Sequence, residues 1–206
     1  MMNQSPFLLT AMSLPLSTLL DEIAACRVCA ASLPHDPRPV VAAAAGARLL
    51  IVGQAPGRRV HQSGIPWDDP SGDQLRAWLQ MAPAQFYDPN QVVIVPMGLC
   101  YPGKGASGDL PPRPECAPLW HPRLLAAMPG IRLTLLIGRY AQAYYLGKGC
   151  KPTLTATVAA YAEYLPRFLP LPHPSPRNRF WQTRNPWFTA DVLPLLRQQV
   201  AAALAD

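Results

Sequence analysis

Four short apolar runs constrain this chain more than any other feature: RLLIVG (Arg48–Gly53), QVVIVP (Gln91–Pro96), RLTLLIG (Arg132–Gly138) and RFLPLP (Arg167–Pro172). The first three are rich in Ile, Val and Leu, as strands of a parallel sheet covered on both faces are. The fourth is interrupted by Pro170 and Pro172, which cannot donate to a sheet ladder. Helical patterns lie between the runs. Ser17 is placed to cap a helix over Thr18–Cys26. Ser71–Met81 gathers Leu75, Trp78 and Leu79 on one face, and Arg113–Met128, Tyr140–Leu146, Thr153–Tyr164 and Thr189–Leu204 follow. Strands alternating with helices make βαβ units. The expected fold is therefore α/β, a three-layer α/β/α sandwich with a central, mainly parallel four-stranded sheet. No repeat or linker divides the chain. Residues 13–206 are expected to form one domain, with 1–12 an N-terminal extension and Met12 a candidate start.

In such sheets the working site lies beyond the carboxyl ends of the strands. Two loops should meet there. The first, GQAPG (Gly53–Gly57), sets two glycines around a proline, which lets the backbone turn sharply and approach a ligand. It lacks the Gly-Lys-Ser/Thr ending of a phosphate loop. The second, LPLPHPSPRN (Leu169–Asn178), sets His173 among four prolines. Proline fixes φ, so this histidine sits on a stiffened loop. The chain has 26 prolines in all, well above the roughly 5% of an average protein. Strong apolar runs separate them, so they read as stiff loops on a packed scaffold. Between the two loops, SGIPWDDPSGDQL (Ser63–Leu75) offers a flat aromatic face, Trp67, beside Asp68 and Asp69. Either aspartate alone reads equally well as a helix cap, and Trp67 as core.

The formal net charge is +6, and lysine occurs only at positions 104, 148 and 151. Arginine therefore carries the excess, which suits planar recognition of phosphates and an anionic partner. No stretch reaches the ~18 apolar residues of a membrane span. The N-terminus is apolar but has no basic region, so no secretory signal is expected.

Taken in order, GQAPG (53–57), GIPWDDPSGD (64–73) and HPSPRN (173–178) resemble the motifs of the uracil-DNA glycosylase superfamily, and of its iron–sulfur branch, families 4 and 5, in particular. Asp69, Ser71, Gly72, Asp73, His173, Pro174, Ser175 and Asn178 fit the family 5 pattern. The resemblance implies hydrolysis of the bond between a damaged base and deoxyribose, after the base is flipped out of DNA. It gives catalytic roles to Asp69, which positions or activates water, and to His173, which donates to the leaving base. Gly53, Gln54, Trp67 and Asn178 would bind the base. Ser175, Arg177, Arg58 and Arg179 would contact DNA, with Arg59 and Arg184 as further candidates. Pro176 or Arg177 would wedge into the stack.

The cysteines agree with this resemblance. Cys26 and Cys29 form C-x2-C, and Cys100 and Cys116 complete a set like the four ligands of a [4Fe–4S] cluster. Zinc uses the same donors, and scattered buried cysteines would look no different in sequence. Cys150 is left over. A monomeric, cytoplasmic protein of bacterial type, acting at the nucleoid on DNA with damaged bases and away from membranes, is the implied setting.

Two positions depart from the pattern. Gln54 stands where many family 4 members have a carboxylate, which leaves Asp69, with Asp68 as rival. Pro96 stands where relatives often have an asparagine that reads uracil, so hypoxanthine and xanthine compete as substrates. The sequence also admits a non-catalytic DNA-binding or damage-sensing protein, and an enzyme acting on free nucleosides.

Overall fold

All four apolar runs form one sheet. The computed structural model describes residues 15–205. The expected extension at 1–12 and the candidate start Met12 lie outside the described residues. The runs become β1 (Leu49–Val52), β2 (Val92–Ile94), β5 (Leu133–Ile137) and β6 (Phe168–Leu171). Their order is β2-β1-β5-β6 and every pair is parallel. A small hairpin of two-residue strands, β3 (Lys104–Gly105) and β4 (Gly108–Asp109), forms in the Gly/Pro-rich loop after β2, where no apolar run marks a strand.

Helices cover both faces, so the architecture is the expected three-layer α/β/α sandwich. In chain order they are α1 (Leu16–Ala24), α2 (Arg58–Ser63), α3 (Pro70–Leu79), α4 (Pro83–Phe86), α5 (Cys116–Ala127), α6 (Arg139–Leu146), α7 (Leu154–Ala159), α8 (Arg179–Arg184) and α9 (Leu193–Leu204). Side chains alternate across a strand, and the core divides accordingly. Ile94, Ile51, Leu135 and Leu169 align across the sheet and pack against Leu75 and Trp78 of α3 and Leu196 and Val200 of α9. Leu50, Val52 and Val93 face the other way, onto Ile23 of α1 and Trp120 and Leu124 of α5.

Several helix boundaries move from their expected places. Ser17 is no cap: α1 starts at Leu16 after Pro15, with no side-chain capping bond, and Ser17 falls inside the first turn. The helix expected from Arg113 starts at Cys116, because the residue before Pro114 is pushed out of the helical region. The expected Thr153–Tyr164 helix ends at Ala159 and continues as a tighter turn over Tyr161–Tyr164. The last helix is regular only from Leu193. Pro194 has no N–H to give, and the turn before it, Phe188–Val192, widens to a π-type turn.

β1 lies between β2 and β5, so the chain leaves it first to one side and later crosses to the other. Crevices open at the carboxyl end of such a switch. The turn after β1 and the loop after β6 both emerge at this edge. Between them, buried Gln142 of α6 donates to the carbonyls of Leu136 and Leu171, tying the ends of β5 and β6 together.

Candidate active site

The site starts from backbone constraints around Trp67. Trp67 has φ 56°, a left-handed conformation that a bulky residue adopts at a cost of about 1–3 kcal/mol. Its carbonyl is held by Arg76 and by the Tyr87 hydroxyl, each at 3.4 Å. Arg76 is itself paired with Asp73 at 2.6 Å. Two glycines make room for this turn. A Cβ on Gly72 would stand 1.8 Å from the Trp67 carbonyl oxygen, and one on Gly53 would stand 2.9 Å from the Trp67 ring. The indole therefore lies directly on the bare backbone of the first turn.

Asp69 follows as the N-cap of α3. Its Oδ1 accepts from the Gly72 N–H at 2.9 Å, and Pro70 occupies the first helical position. The capping role that sequence allowed is real, and it uses one oxygen only. Asp69 also lines a cleft, with Gly53, Gln54, Ala55, Gly57, Trp67 and His173. Asp68 does not line it. The cleft has about 420 Å³ of atom-free space, its open mouth included. Little of that space is enclosed. The space is a slot suited to a flat ring rather than a chamber.

His173 lines the slot as well. Its ring lies 5.6 Å from that of Trp67, tilted by 35°. The Ser175 N–H donates to His173 Nδ1 at 3.2 Å. Nδ1 is therefore an acceptor, and the proton of the neutral ring sits on Nε2. Burial lowers the His173 pKa, against the opposing pull of the Asp69 and Asp109 charges, and favours that neutral form. Asn178 lies outside the cleft lining. Its amide donates to the His173 carbonyl at 2.8 Å and braces the loop.

In the first turn, the carbonyls of Gly53 and Gln54 accept from Met97 and Gly98. Among the described residues, the N–H groups of Gln54 and Ala55 bond to no other backbone group. They remain available to a ligand. Val40, Ile94 and Pro96 make the facing wall apolar.

Behind that wall, the Pro96 carbonyl accepts from Nε2 of His121, whose Nδ1 meets the Tyr145 hydroxyl at 2.7 Å. His121 is 1% exposed, and burial pushes its pKa down to about 4. The unfolded chain takes up this proton near pH 6.5, whereas the folded one resists it until about pH 4. Stability is therefore complete above pH 6.5 and falls between there and pH 4, by about 3 kcal/mol from this group. Urea unfolding across that window should record the loss, and His121→Gln should flatten it.

The expected DNA contacts surround the mouth unevenly. Arg58 and Arg59 are exposed on α2, immediately after Gly57. Arg179 borders a groove between α3 and α8. Ser175 Oγ accepts from the Arg177 N–H at 3.3 Å. The Arg177 guanidinium donates to the Ser107 carbonyl at 3.0 Å, clasping the β3–β4 hairpin to the His173 loop. Phe180, which no motif marks, is the most exposed large apolar side chain of the described residues at 80%. Its neighbour Trp181 is anchored by Thr155 at 2.8 Å and packs on Phe188, so α8 holds Phe180 outward. Helical spacing puts it between Arg177 and Arg184.

Cys26, Cys29, Cys100 and Cys116 share one neighbourhood. Burial, then the charge of Cys26, raises the Cys29 pKa. Burial first, with Cys29 and Cys26, pushes Cys100 up to about 11. Burial first, with all three others, pushes Cys116 up to about 12. Among the described residues no three metal-binding side chains form a group compact enough for an ion. Cys150 stands apart, with its sulfur 3.7 Å from the Thr157 hydroxyl.

Among the described residues no helix is long and apolar enough to cross a membrane. The family model described as the Uracil DNA glycosylase superfamily matches residues 40–197. That stretch covers most of the chain, includes both motif loops with Cys100 and Cys116, and begins after Cys26 and Cys29.

Proposed function

The chain belongs to the uracil DNA glycosylase superfamily, whose members are generally DNA-repair hydrolases, and from that premise we propose that it is a monofunctional DNA glycosylase removing a flipped-out deaminated base. One observation carries the reading: Asp69 and His173, far apart in sequence, border one narrow slot roofed by Trp67 and edged by free backbone N–H groups. A base entering it stacks on the indole and is read by the Gln54 and Ala55 amides. The apolar wall at Pro96 offers no side-chain donor or acceptor, so uracil, hypoxanthine and xanthine are all candidate substrates.

As the glycosidic bond breaks, the electron pair moves onto the base. His173, neutral with its proton on Nε2, donates to that growing charge, which makes it a stabiliser of the transition state rather than of the substrate. Asp69 has its second oxygen free to take a proton from water, and its charge favours the cationic sugar. The exposed Arg58, Arg59, Arg179 and Arg184 meet phosphates and position the duplex without reading it. Phe180, unlike the clasped Arg177, is free to fill the gap left in the stack.

The four thiols fit the [4Fe–4S] reading in donor type. Burial first, then the charges of neighbouring thiols, disfavours the thiolate at Cys29, Cys100 and Cys116, and metal charge would compensate their ionisation. Zinc takes the same four thiolates. When bound, the cluster would tie α1, the β2 loop and α5 together, outside the reaction. Metal analysis of the purified protein separates the two.

Single-stranded and duplex oligonucleotides with uracil, hypoxanthine or xanthine, incubated with protein and treated with hot alkali, test the function. Strand scission at the modified base is the expected result. Binding without scission would mark a damage sensor, and turnover of free nucleosides alone a different hydrolase.

A further inference from the structure

We propose that Asp109, at the end of the β3–β4 hairpin, is a second catalytic carboxylate that holds the attacking water jointly with Asp69. This rests on the glycosylase reading of the cleft. Nothing in the sequence motifs points to Asp109; the fold brings it there. The position a Cβ on Gly57 would take lies 3.5 Å from Asp109 Oδ2 and 3.9 Å from Asp69 Oδ2. In each carboxylate the other oxygen is engaged. Asp69 Oδ1 caps α3 at 2.9 Å, and Asp109 Oδ1 accepts from the hydroxyl of the buried Tyr101 at 3.4 Å. Two free oxygens therefore converge on the space in front of Gly57. Gly57, Asp69 and His173 line the cleft, and Asp109 stands exposed just outside that lining, beside Gly57. Arg177 holds the hairpin against the His173 loop through the Ser107 carbonyl.

A water donates two hydrogen bonds. Held by two acceptors, it has both hydrogens committed and a lone pair directed away from them, toward the sugar. The chemistry then balances simply. The water oxygen bonds C1′ while the C1′–N bond breaks with its pair on the base nitrogen. Asp69 takes one water proton, and Asp109 holds the other hydrogen and fixes the direction of attack. The departing base, stabilised by His173, later picks up a proton from solvent. A carboxylate at the mouth of a DNA-binding cleft opposes the approach of phosphates, a disadvantage that attraction to the cationic sugar offsets in the transition state.

The test uses steady-state kinetics of the full chain on the oligonucleotide it cleaves fastest. Asp109→Asn keeps an acceptor for Tyr101 and removes the charge. It should lower kcat about tenfold with KM little changed, less than the hundredfold or more of a group that takes the proton itself. Gly57→Ala is the second probe. Gly57 has φ −80° and ψ 174°, which alanine adopts freely, and its methyl would touch both carboxylates at ordinary contact distance. It should displace the water and lower kcat without loss of thermal stability. In the Gly57→Ala background Asp109→Asn should then add little. An Asp109→Asn enzyme with unchanged kcat, or two substitutions whose effects multiply in full, would overturn the role of Asp109 and leave the glycosylase reading intact. A wild-type protein that cleaves none of the modified oligonucleotides would overturn that reading, and this one with it.

Discussion

His173→Ala is expected to lower kcat by about 10²–10³-fold, the usual loss when one preorganised donor to a developing negative charge is removed. The Ser175 N–H occupies Nδ1, which leaves the proton on Nε2 of a ring that lines the slot. Because that donor matters only as charge builds on the base, KM and DNA affinity should stay within a few-fold of wild type. Stability should fall only modestly, by about 1 kcal/mol, since Ser175 loses its acceptor while Asn178 still braces the loop through a backbone carbonyl. The pH profile adds a sign. Burial lowers the His173 pKa, so the neutral donor persists below pH 6.5, and any acid limb due to this group should lie under that value. Single-turnover rates beside anisotropy binding curves check the prediction. A variant that binds and cleaves as wild type does would remove His173 from the mechanism.

The second large effect separates two jobs of one side chain. Asp69→Asn retains an oxygen for the Gly72 N–H, so α3 keeps its cap, but the free carboxylate oxygen is gone. Asp69→Ala loses both. Each should lower kcat by about 10²-fold, within the range for a positioned proton acceptor. Only the alanine variant should lose about 1 kcal/mol of stability, the usual worth of an N-cap. Urea midpoints and single-turnover rates on the same preparations read the two separately. If Asp69 is nothing more than a cap, asparagine will restore activity in full.

These predictions depend on features of unequal legibility in the sequence. The strands were readable because a strand buried on both faces must be apolar throughout, and four such runs stand out among prolines. The two loops followed from where such strands end. Helix ends were less readable, since Pro114 and Pro194 shift them through local clashes and a missing N–H that apolar periodicity does not register. Asp69 showed its motif but not that one oxygen caps α3 while the other stays free. Asn178 matched a base-binding position, yet its amide turns back to the His173 carbonyl. Asp109 was marked by no motif of its own. It sits in a Gly/Pro-rich stretch, Tyr101–Pro114, that reads either as a loop lining the base pocket or as a spacer between cysteines, and its neighbours in space, Gly57 and Asp69, are distant in the chain.

The amino-acid order by itself determined the layered parallel sheet, the edge at which the site lies, and the chemical types gathered there, because burial and backbone rules act over a few residues at a time. Tertiary structure alone decided which oxygen is free, which imidazole nitrogen carries the proton, and which carboxylate from an unmarked hairpin faces the first. Those are matters of distance between segments remote in sequence, and only packing the layers together sets such distances.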